Sequence, residues 1–541
     1  MVTKTLVTVG YILTFWGVLP SVLAALAAWG QRVLGANPRF PGLRGAAITL
    51  AAGSGIMLAV AIVQYTRASG RLPISAFPPR KLIRSGVFGI WRHPIYLFSV
   101  LFFSGLGVAA WPVGYSLVSF PVLVLGTALY VENEEAGLEK RFGRAYNGHR
   151  RQTSIIVPRF IHVVRFVSAA VCRVFFRFEA SGRENGRIDP PFFVIAAHRN
   201  YLDPVFVSLA VDVPVHFVTT SERFRTRLSR FVFVRLLGLP KKRYTPDLRN
   251  GLDIRRRLLE GCAVGIFPEA ERSWTRGMLG FKPQALKLLL RYHEIPIVPI
   301  RLEGAYESWP RWVSRPHRGN VTASVGKPVF LTGKERPADL EARLSELILP
   351  RRTVGSPWKP IAGRGIETLV YRCPECLCFD AVRFGPGREF WCTRCSATFD
   401  ILPDFSVRTT GQGAPVSLER ISRRVFVGPD GPALPQVSAD GFTADRALLA
   451  MEERGRLKTV GTGRLDLSAA GLVFVSPGAL VRFDLGALQA VVVEGAGILQ
   501  IYGGRPAGLW QIHLSGQSVL KWQHIIAEAV RSVRGAYPTT A

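Results

Sequence analysis

The chain has 541 residues, too many for a single hydrophobic core, so about three or four domains are expected. Hydrophobic residues make up 48% of the chain, and its formal net charge is +31. Such a charge suits either nucleic acid or the anionic surface of a membrane. Because no DNA- or RNA-binding module is visible, it favours lipid, and no nucleic-acid partner is expected.

Long apolar runs near the N-terminus predict four membrane-spanning helices. The runs are Leu6–Ala28, Ala46–Tyr65 and Ile95–Tyr130, and the last is long enough for two spans with a turn near Trp111–Gly114. The first run lacks a charged start and a small-residue cleavage site, so it is interpreted as a retained helix. Basic residues cluster between the second and third spans and after the fourth. We therefore expect an integral protein of the cytoplasmic membrane, with its other domains on the cytoplasmic side.

Two charged blocks flank the last pair of predicted spans. The sequence RHPIY occupies 92–96, and EE occupies 134–135, followed by Leu138, 142–143 and Tyr146. These blocks resemble the membrane methyltransferases that act on isoprenylcysteine or on phospholipid amines. His149 stands where that family often has a second tyrosine.

This resemblance implies an S-adenosylmethionine pocket at the cytoplasmic face, between the two blocks. The residues it would place at the cofactor are Arg92, His93, Tyr96, Glu134 and Glu135. Membrane sterol reductases share both blocks and use a different cofactor. The remaining alternative is a plain membrane anchor with a basic and aromatic belt at the interface.

A histidine and an aspartate follow a buried strand in the middle of the chain. The apolar run Phe192–Ala197 predicts the strand, His198 follows it, and Asp203 lies five residues further on. If a helix begins at Asn200, the carboxylate of Asp203 can fold back and bind one imidazole nitrogen. The other nitrogen can then take a proton from a hydroxyl. Taken alone, the pattern also describes a histidine at a strand end and an aspartate that caps a helix.

Two later segments give this pattern a context. GIFPEAERS occupies 265–273 and IPIVPI occupies 295–300, each in an apolar surrounding. Over about Arg165–Leu349, the three blocks resemble in order and spacing the glycerolipid acyltransferase family that makes phosphatidic acid. Ala270 stands for the family's glycine, a mild change unless the backbone there needs a positive φ.

The acyltransferase resemblance implies a role for each matching residue. His198 would be the general base and Asp203 its orienting partner. Glu269 and Arg272 would hold the acceptor, with Arg272 binding its phosphate. Arg243 is the nearest candidate for a further phosphate contact, although a solvated basic loop is an equal interpretation. Acyl-CoA or acyl carrier protein would be the donor, and a lysophospholipid or glycerol phosphate the acceptor.

One further departure concerns the charge beside Arg272. Glu271 stands where the family usually has threonine, and its carboxylate is expected to weaken phosphate capture by partly neutralising Arg272.

The acyltransferase-like region alternates strand-like and helix-like segments, which predicts an α/β domain with a mainly parallel or mixed sheet. An apolar segment with interleaved arginines, His162–Phe176, precedes it and is interpreted as an interfacial helix. The predicted strands are Phe192–Ala197, Val215–Thr219, Ala263–Phe267, Ile297–Leu302 and Val321–Val325.

Two C-x-x-C pairs follow a linker at 355–365 that is rich in proline and glycine. Cys373 and Cys376 are separated by fifteen residues from Cys392 and Cys395. The spacing is typical of a zinc ribbon, in which four thiolates hold a structural Zn²⁺ in a reducing compartment. A redox dithiol pair is the alternative, and Cys378 is expected to pack nearby.

Short strand-like segments dominate from about Phe405 and end in an amphipathic helix, Ser518–Val533. One strand is predicted over Gly463–Val475. Strands followed by one C-terminal helix resemble a pleckstrin-homology-like module, which would bind lipid or a partner as an accessory.

The sequence therefore predicts four domains and an enzyme. They are a methyltransferase-like transmembrane domain over 1–158, an acyltransferase domain over 165–350, a zinc ribbon over 367–402 and a β-rich accessory domain over 405–541. The predicted activity is membrane-bound acyl transfer. Two alternatives stay open: a lipid or isoprenylcysteine methyltransferase with a decayed acyltransferase domain, and a non-catalytic lipid-binding scaffold. The expected partners are the membrane, a lipid acceptor and, as one of the two donor carriers, acyl carrier protein.

Overall fold

A computed structural model describes most of the chain. The described residues are 2–34, 41–73, 82–156, 158–224, 226–242, 247–350, 365–385, 387–410, 413–426, 441–453, 456–468, 471–494, 497–503 and 508–534. The predicted linker at 355–365 lies outside them except for its last residue.

The N-terminal region is mainly helical over its described residues. Its helices are α1 (Val2–Ile12), α2 (Leu19–Val33), α3 (Pro41–Ser69), α4 (Val87–Ile90), α5 (Pro94–Ala110), α6 (Pro112–Gly114), α7 (Phe120–Phe142) and α8 (Arg144–Gln152). Helices α3 and α5 approach closely because Gly105 has no side chain. A Cβ there would lie 2.6 Å from the carbonyl oxygen of Ala47.

Three helical segments within the described residues are long and apolar enough to cross a membrane. They are Thr8–Val33, Gly42–Ser69 and Pro112–Phe142. The predicted break near Trp111–Gly114 lies at Trp111, which ends α5 after 17 residues. Since α5 is shorter than a typical span of about 20 residues, the fourth predicted span is not confirmed.

An amphipathic helix, α9 (Phe160–Phe175), leads into a mixed seven-stranded sheet covered by helices. The strands are β1 (Glu179–Ser181), β2 (Phe192–Ala196), β3 (Val215–Thr220), β4 (Leu239–Lys241), β5 (Ala263–Ile266), β6 (Ile297–Glu303) and β7 (Thr322–Val325). The helices are α10 (Asp203–Ala210), α11 (Arg227–Arg235), α12 (Leu248–Leu259), α13 (Pro283–Arg291), α14 (Ala305–Ser308) and α15 (Pro337–Ile348).

The order of this sheet positions the site. It runs β1-β7-β6-β2-β5-β3-β4, and only the β6–β7 pair is antiparallel. Strand β2 is buried at every residue, as expected for a central parallel strand with both faces covered. Because β2 and β5 are parallel neighbours, with Ile195 opposite Ile266, the segments that follow them leave the sheet side by side.

Two antiparallel sheets follow the α/β region. The first has the order β11-β10-β9-β8, and the second has the order β15-β14-β13-β12-β18-β17-β16. The first contains β8 (Val382–Phe384), β9 (Glu389–Cys392), β10 (Thr398–Ile401) and β11 (Val407–Thr409), followed by α16 (Leu418–Val425). The second contains β12 (Phe442–Glu453), β13 (Arg456–Ser468), β14 (Gly471–Ser476), β15 (Ala479–Phe483), β16 (Leu488–Glu494), β17 (Ile498–Gly503) and β18 (Leu509–His513), followed by α17 (Val519–Arg534).

The second antiparallel sheet differs from its prediction in one place. The single strand predicted over Gly463–Val475 is two strands, β13 and β14, which pair antiparallel with Ser468 opposite Gly471. Gly471 has a φ of +123°, which glycine adopts without the strain that a Cβ would cause. Helix α17 packs against this sheet through Trp522, Ile525 and Ile526, so the predicted amphipathic helix supplies part of the core.

Candidate active site

The carboxyl ends of β2 and β5 bring two loops together. His198 follows β2, and its backbone N–H donates to Oε1 of Glu269, which follows β5, at 2.9 Å. The other carboxylate oxygen, Oε2, accepts from the backbone N–H of Leu279 at 2.8 Å. Glu269 is fully buried, and it therefore holds two backbone segments in place. Burial raises its pKa to about 7, although both of these hydrogen bonds oppose the shift.

His198 and Asp203 form the predicted hydrogen-bonded pair. Nδ1 of His198 lies 2.9 Å from Oδ2 of Asp203. The same oxygen accepts the backbone N–H groups of Arg199 and Asn200 at 2.6 and 2.7 Å. The helix α10 begins at Asp203 and not at Asn200, because Asn200 to Leu202 form the turn that this carboxylate ties together. Since a carboxylate only accepts, Nδ1 carries the proton.

The surroundings of His198 keep its imidazole neutral. Burial lowers its pKa below the ordinary value of 6.5, the hydrogen bond to Asp203 opposes this, and the charges of Arg272 and Arg311 lower it again. The ring stacks on Phe267 with its centroid 4.3 Å away. A neutral histidine with Nδ1 occupied offers Nε2 as a proton acceptor.

Arg272 lies on the loop after β5, which we call the acceptor loop (residues 268–276). Its guanidinium carbon is 3.3 Å from the ring centroid of Tyr201, the third residue after His198. Tyr201 in turn contacts Trp309, with ring centroids 4.9 Å apart. The two blocks that the sequence analysis joined by resemblance thus meet through Arg272 and Tyr201.

Ala270 has a φ of +58°, a conformation that favours glycine. The Ala-for-Gly departure therefore falls at a position where a Cβ is strained. Arg243, the other predicted phosphate contact, lies outside the described residues.

Two residues at this site, Arg311 and Tyr201, were not predicted from the sequence. Arg311 donates to the carbonyl oxygen of Arg272 at 2.8 Å and is only 4% exposed. Tyr201 lies between His198 and Asp203 in the sequence, and an aromatic side chain there was a usable signal. Arg311 lies 39 residues beyond Arg272, and nothing local marks it.

A cavity of about 800 Å³ lies in the helical region, apart from the His198 site. Four of the five predicted cofactor residues line it: Arg92, His93, Tyr96 and Glu134. The fifth, Glu135, contacts two of them, with its Oε1 3.4 Å from Nε of Arg92 and 3.3 Å from Nε2 of His93. The cavity volume lies in the usual range for a small-molecule site.

The walls of this cavity suit a ligand with one charged end, because charged side chains line one part of the cavity and apolar side chains line the rest. Tyr146 and His149 line it beside the charged cluster, and aromatic side chains such as Phe15, Trp16 and Phe103 line it elsewhere. Burial, followed by the charge of Arg84, lowers the pKa of His149 to about 3, so this imidazole is neutral. Arg92 and Glu134 supply charges of both signs, which fits the amino and carboxylate groups of an amino-acid moiety.

The helical region and His198 lie at opposite ends of the α/β sheet. Arg151 and Gln152 of α8 contact Glu260 and Cys262, which precede the amino end of β5, at 2.5 and 3.2 Å. His198 follows the carboxyl end of the neighbouring parallel strand β2. The helical region therefore joins the sheet on the side away from His198.

Cys373, Cys376, Cys392 and Cys395 come together as the spacing predicts. Their four Sγ atoms all lie within 4.8 Å of one another, and the closest pairs are 3.6 and 3.7 Å apart. Thiolates at about 2.3 Å from a tetrahedral Zn²⁺ would be separated by about 3.8 Å, so this donor set fits the metal. Cys378, which was expected to pack nearby, packs against the hydrophobic core that includes Cys373 and Cys392.

Comparison with known proteins matches both regions. Residues 177–303 match the Acyltransferase family model, and residues 44–145 match the Phospholipid methyltransferase family model. A probable 1-acyl-sn-glycerol-3-phosphate acyltransferase of Mycoplasma genitalium is 28% identical over 129 residues, 22% of this chain and 48% of that protein. The chain thus spans about half the length of this curated relative.

A solved structure is also similar. The 1-acyl-sn-glycerophosphate acyltransferase of Thermotoga maritima is 22% identical, with a TM-score of 0.31, and the match covers 35% of this chain and 76% of that one. His198, Asp203, Glu269 and Arg272 fall inside the first matched segment, and the five residues at the helical cavity fall inside the second. The chain thus contains an acyltransferase-family domain and a phospholipid methyltransferase-family domain.

Proposed function

We propose that this protein is a membrane-bound acyltransferase. It moves an acyl chain from acyl-CoA or acyl carrier protein to the hydroxyl of a lysophospholipid or glycerol phosphate. The observation that carries the proposal is the 2.9 Å contact between His198 and Asp203, in a segment that matches the Acyltransferase family model. Arg272 on the neighbouring loop supports an acceptor with a phosphate group.

The proposed reaction needs no nucleophile from the enzyme. Nε2 of His198 takes the proton of the acceptor hydroxyl as that oxygen attacks the thioester carbonyl. A new C–O bond forms, the C–S bond breaks, and the departing sulfur takes the proton back from the imidazolium. Asp203 holds the Nδ1 proton and stabilises the imidazolium while it exists. Much of the rate gain comes from holding two substrates beside the base.

Arg272 and Glu269 contribute in different ways to this proposal. Arg272 binds the acceptor phosphate through charge-assisted hydrogen bonds. Glu269 has both oxygens occupied by backbone N–H groups, so it holds the acceptor by fixing the loops that carry His198 and Arg272. Arg243 stays a candidate for a second phosphate contact.

The test is acyl transfer by the purified full chain from labelled acyl-CoA, or acyl carrier protein, to a mixture of lysophospholipids and glycerol phosphate. We expect His198→Ala to abolish product formation and leave membrane insertion intact. His293→Ala is the matched control, because its ring contacts the carbonyl oxygen of Leu290 and not the site. A near-normal rate in His198→Ala would refute the assignment.

Methyl transfer is the second candidate, supported by the cavity of about 800 Å³ inside the segment that matches the Phospholipid methyltransferase model. Arg92, His93, Tyr96, Glu134 and Glu135 would hold S-adenosylmethionine, which supplies an electrophilic methyl group to a lipid amine or an isoprenylcysteine. A labelled methyl donor offered with the same lipids tests this activity separately. If neither the acyl donor nor the methyl donor gives a product, the result favours a lipid-binding scaffold.

The remaining parts of the proposal concern location and accessory modules. The protein lies in the cytoplasmic membrane with both enzymatic sites on the cytoplasmic side, which the three apolar helices and the basic loops support. The four cysteines hold a structural zinc ion. The C-terminal sheet with its final helix is a pleckstrin-homology-like accessory that binds lipid or a partner.

A further inference from the structure

A buried arginine connects the acceptor loop to the C-terminal sheet. Arg311 donates from Nη1 to the carbonyl oxygen of Arg272 at 2.8 Å, and from Nη2 to the carbonyl oxygen of Val493 in β16. Its guanidinium also lies over the ring of Trp274, 4.2 Å from the centroid. One side chain thus ties the loop that carries Arg272 to a strand 182 residues away in sequence from Arg311.

A second contact lies at the same end of the α/β sheet. Tyr502 of β17 donates from its hydroxyl to Oε1 of Glu222 at 3.0 Å. Glu222 follows the carboxyl end of β3, and β3 is the neighbour of β5. Strands β16 and β17 therefore contact the end of the sheet where His198 and Arg272 lie.

Packing behind the acceptor loop is shared between the two parts of the chain. Trp274, Tyr306 and Trp312 belong to the same hydrophobic core as Phe405 and the C-terminal sheet. Nε1 of Trp312 donates to the hydroxyl of Tyr306 at 3.1 Å, and that hydroxyl donates to the carbonyl oxygen of Trp274 at 3.0 Å. The ring of Phe405 packs edge-on against Trp312 with centroids 5.4 Å apart. The acceptor loop is thus supported by side chains from beyond the α/β region.

The charge at this junction also comes from both parts. Glu494, the residue after Val493, interacts electrostatically with the guanidinium groups of both Arg272 and Arg311. The C-terminal sheet therefore sets part of the electrostatic environment that an acceptor anion meets at Arg272.

We infer that the C-terminal sheet is an integral part of the acyltransferase site, and that Arg311 is the positioning residue that fixes the acceptor loop against β16. This inference rests on the proposed function, because Arg272 is the acceptor-binding group. A planar guanidinium can donate to two carbonyl oxygens in fixed directions, whereas a lysine ammonium acts as one flexible point charge. Arg311→Lys keeps the positive charge and loses the pair of hydrogen bonds to the carbonyl oxygens of Arg272 and Val493.

The test uses the full chain in detergent micelles. We expect Arg311→Lys to raise the KM for the acceptor by roughly ten- to hundredfold, because a misplaced loop no longer presents Arg272 to the phosphate. The KM for the acyl donor should stay within about twofold, since the donor does not bind the acceptor loop. Arg315→Lys is the matched control: the same change four residues on, at an exposed arginine.

Hydrogen exchange measured on the same variants separates this inference from the proposed function. We expect faster amide exchange at 268–276 in Arg311→Lys, with the β5 amides still protected. An acceptor KM and loop exchange equal to those of Arg315→Lys would overturn the inference. If the wild-type chain transfers no acyl group, the proposed function fails, and loop exchange alone decides whether Arg311 positions the loop.

A second variant covers the case in which Arg311→Lys loses protection throughout the domain. Tyr502→Phe removes the hydrogen bond from Tyr502 to Glu222, and we expect the same two effects at about two- to threefold. Unchanged loop exchange and acceptor KM in that variant would then count against the inference.

Discussion

Oδ2 of Asp203 lies 2.9 Å from Nδ1 of His198 and also accepts two backbone N–H groups of the turn between them. One oxygen therefore fixes both the tautomer of the imidazole and the shape of the turn that carries it. We expect Asp203→Asn to lower kcat by about 10²–10⁴, because an amide can present its NH₂ group and favour the wrong tautomer. The KM for the acceptor should change little. Initial rates with saturating donor measure both.

The control for Asp203→Asn is Asp212→Asn, which also converts a carboxylate into an amide. Asp212 contacts Arg183 and Arg187 at 3.7 and 3.2 Å, away from His198. An equal loss of kcat in the two variants would show that the effect is general and not catalytic.

The pH dependence of acyl transfer follows from the lowered pKa of His198. Burial and two nearby guanidinium groups favour the neutral imidazole, so the base stays active below pH 6.5. We expect protonation of His198 to lower kcat only below about pH 6.5, so a change in kcat near pH 7 would report Glu269. An acidic limb centred above pH 7 in the kcat profile would contradict this prediction.

The contribution of His198 to stability changes with pH in the same direction. A histidine with a lowered folded pKa binds fewer protons folded than unfolded, so its contribution to stability falls as pH decreases below about 6.5. His216, whose pKa burial lowers to about 4, adds to this loss between those two values. Glu269, whose pKa is raised to about 7, contributes with the opposite sign as pH falls through that value. Activity at low pH is therefore to be measured in short assays, with thermal melting recorded at each pH.

Ala270 offers a stabilising substitution. Its φ of +58° is strained for a residue with a Cβ. This conformation costs alanine roughly 1–2 kcal/mol, and glycine adopts it without that strain. We expect Ala270→Gly to slow thermal inactivation of acyl transfer and to raise the apparent midpoint in urea. Ala285→Gly, in the first turn of α13, should have the opposite effect by up to about 0.5–1 kcal/mol. Equal destabilisation by both changes would disprove the strain argument.

Sequence reasoning reached the parts of this site that are local in the chain. Strand β2 was predictable because a central parallel strand is a continuous apolar run, and the pairing of His198 with Asp203 spans only five residues. The start of α10 was placed three residues early, since the capping argument cannot see that Asp203 binds the turn itself. The role of Arg311 could not be predicted from the sequence, because its two acceptors, the carbonyl oxygens of Arg272 and Val493, come together only in the folded chain.

In the membrane and C-terminal regions, too, local features were predictable from the sequence and long-range features were not. Hydropathy located three helices that are long and apolar enough to span a membrane, but the 17-residue length of α5 depends on where Trp111 breaks the chain. In the C-terminal sheet, the apolar pattern continues across β13 and β14, which hides the reversal between Ser468 and Gly471. The cysteines were predictable because ligand spacing within each pair is a local property.

Metal content tests the cysteine cluster directly. We expect about one zinc ion per chain, released by Cys392→Ser, because removing one of four thiolates breaks the tetrahedral donor set. Cys378→Ser should keep its zinc, since Cys378 is outside the four-sulfur cluster. Elemental analysis of the purified variants gives the result. Zinc loss from Cys378→Ser, or retention in Cys392→Ser, would show that the metal is held elsewhere.

The opposed placement of His198 and the helical cavity predicts that the two proposed activities are independent. Helix α8 reaches the α/β sheet beside Cys262, at the amino end of β5, whereas His198 follows the carboxyl end of β2. We expect Glu134→Gln to weaken S-adenosylmethionine binding by at least about tenfold, because a charge-assisted contact is lost. Its acyl-transfer rate should stay within about twofold of wild type, and His198→Ala should bind the methyl donor normally. Calorimetry with S-adenosylmethionine and the acyl-transfer assay, run on the same two preparations, compare the sites. A parallel loss of both activities in either variant would mean that the two sites are coupled through α8 or share a bound lipid.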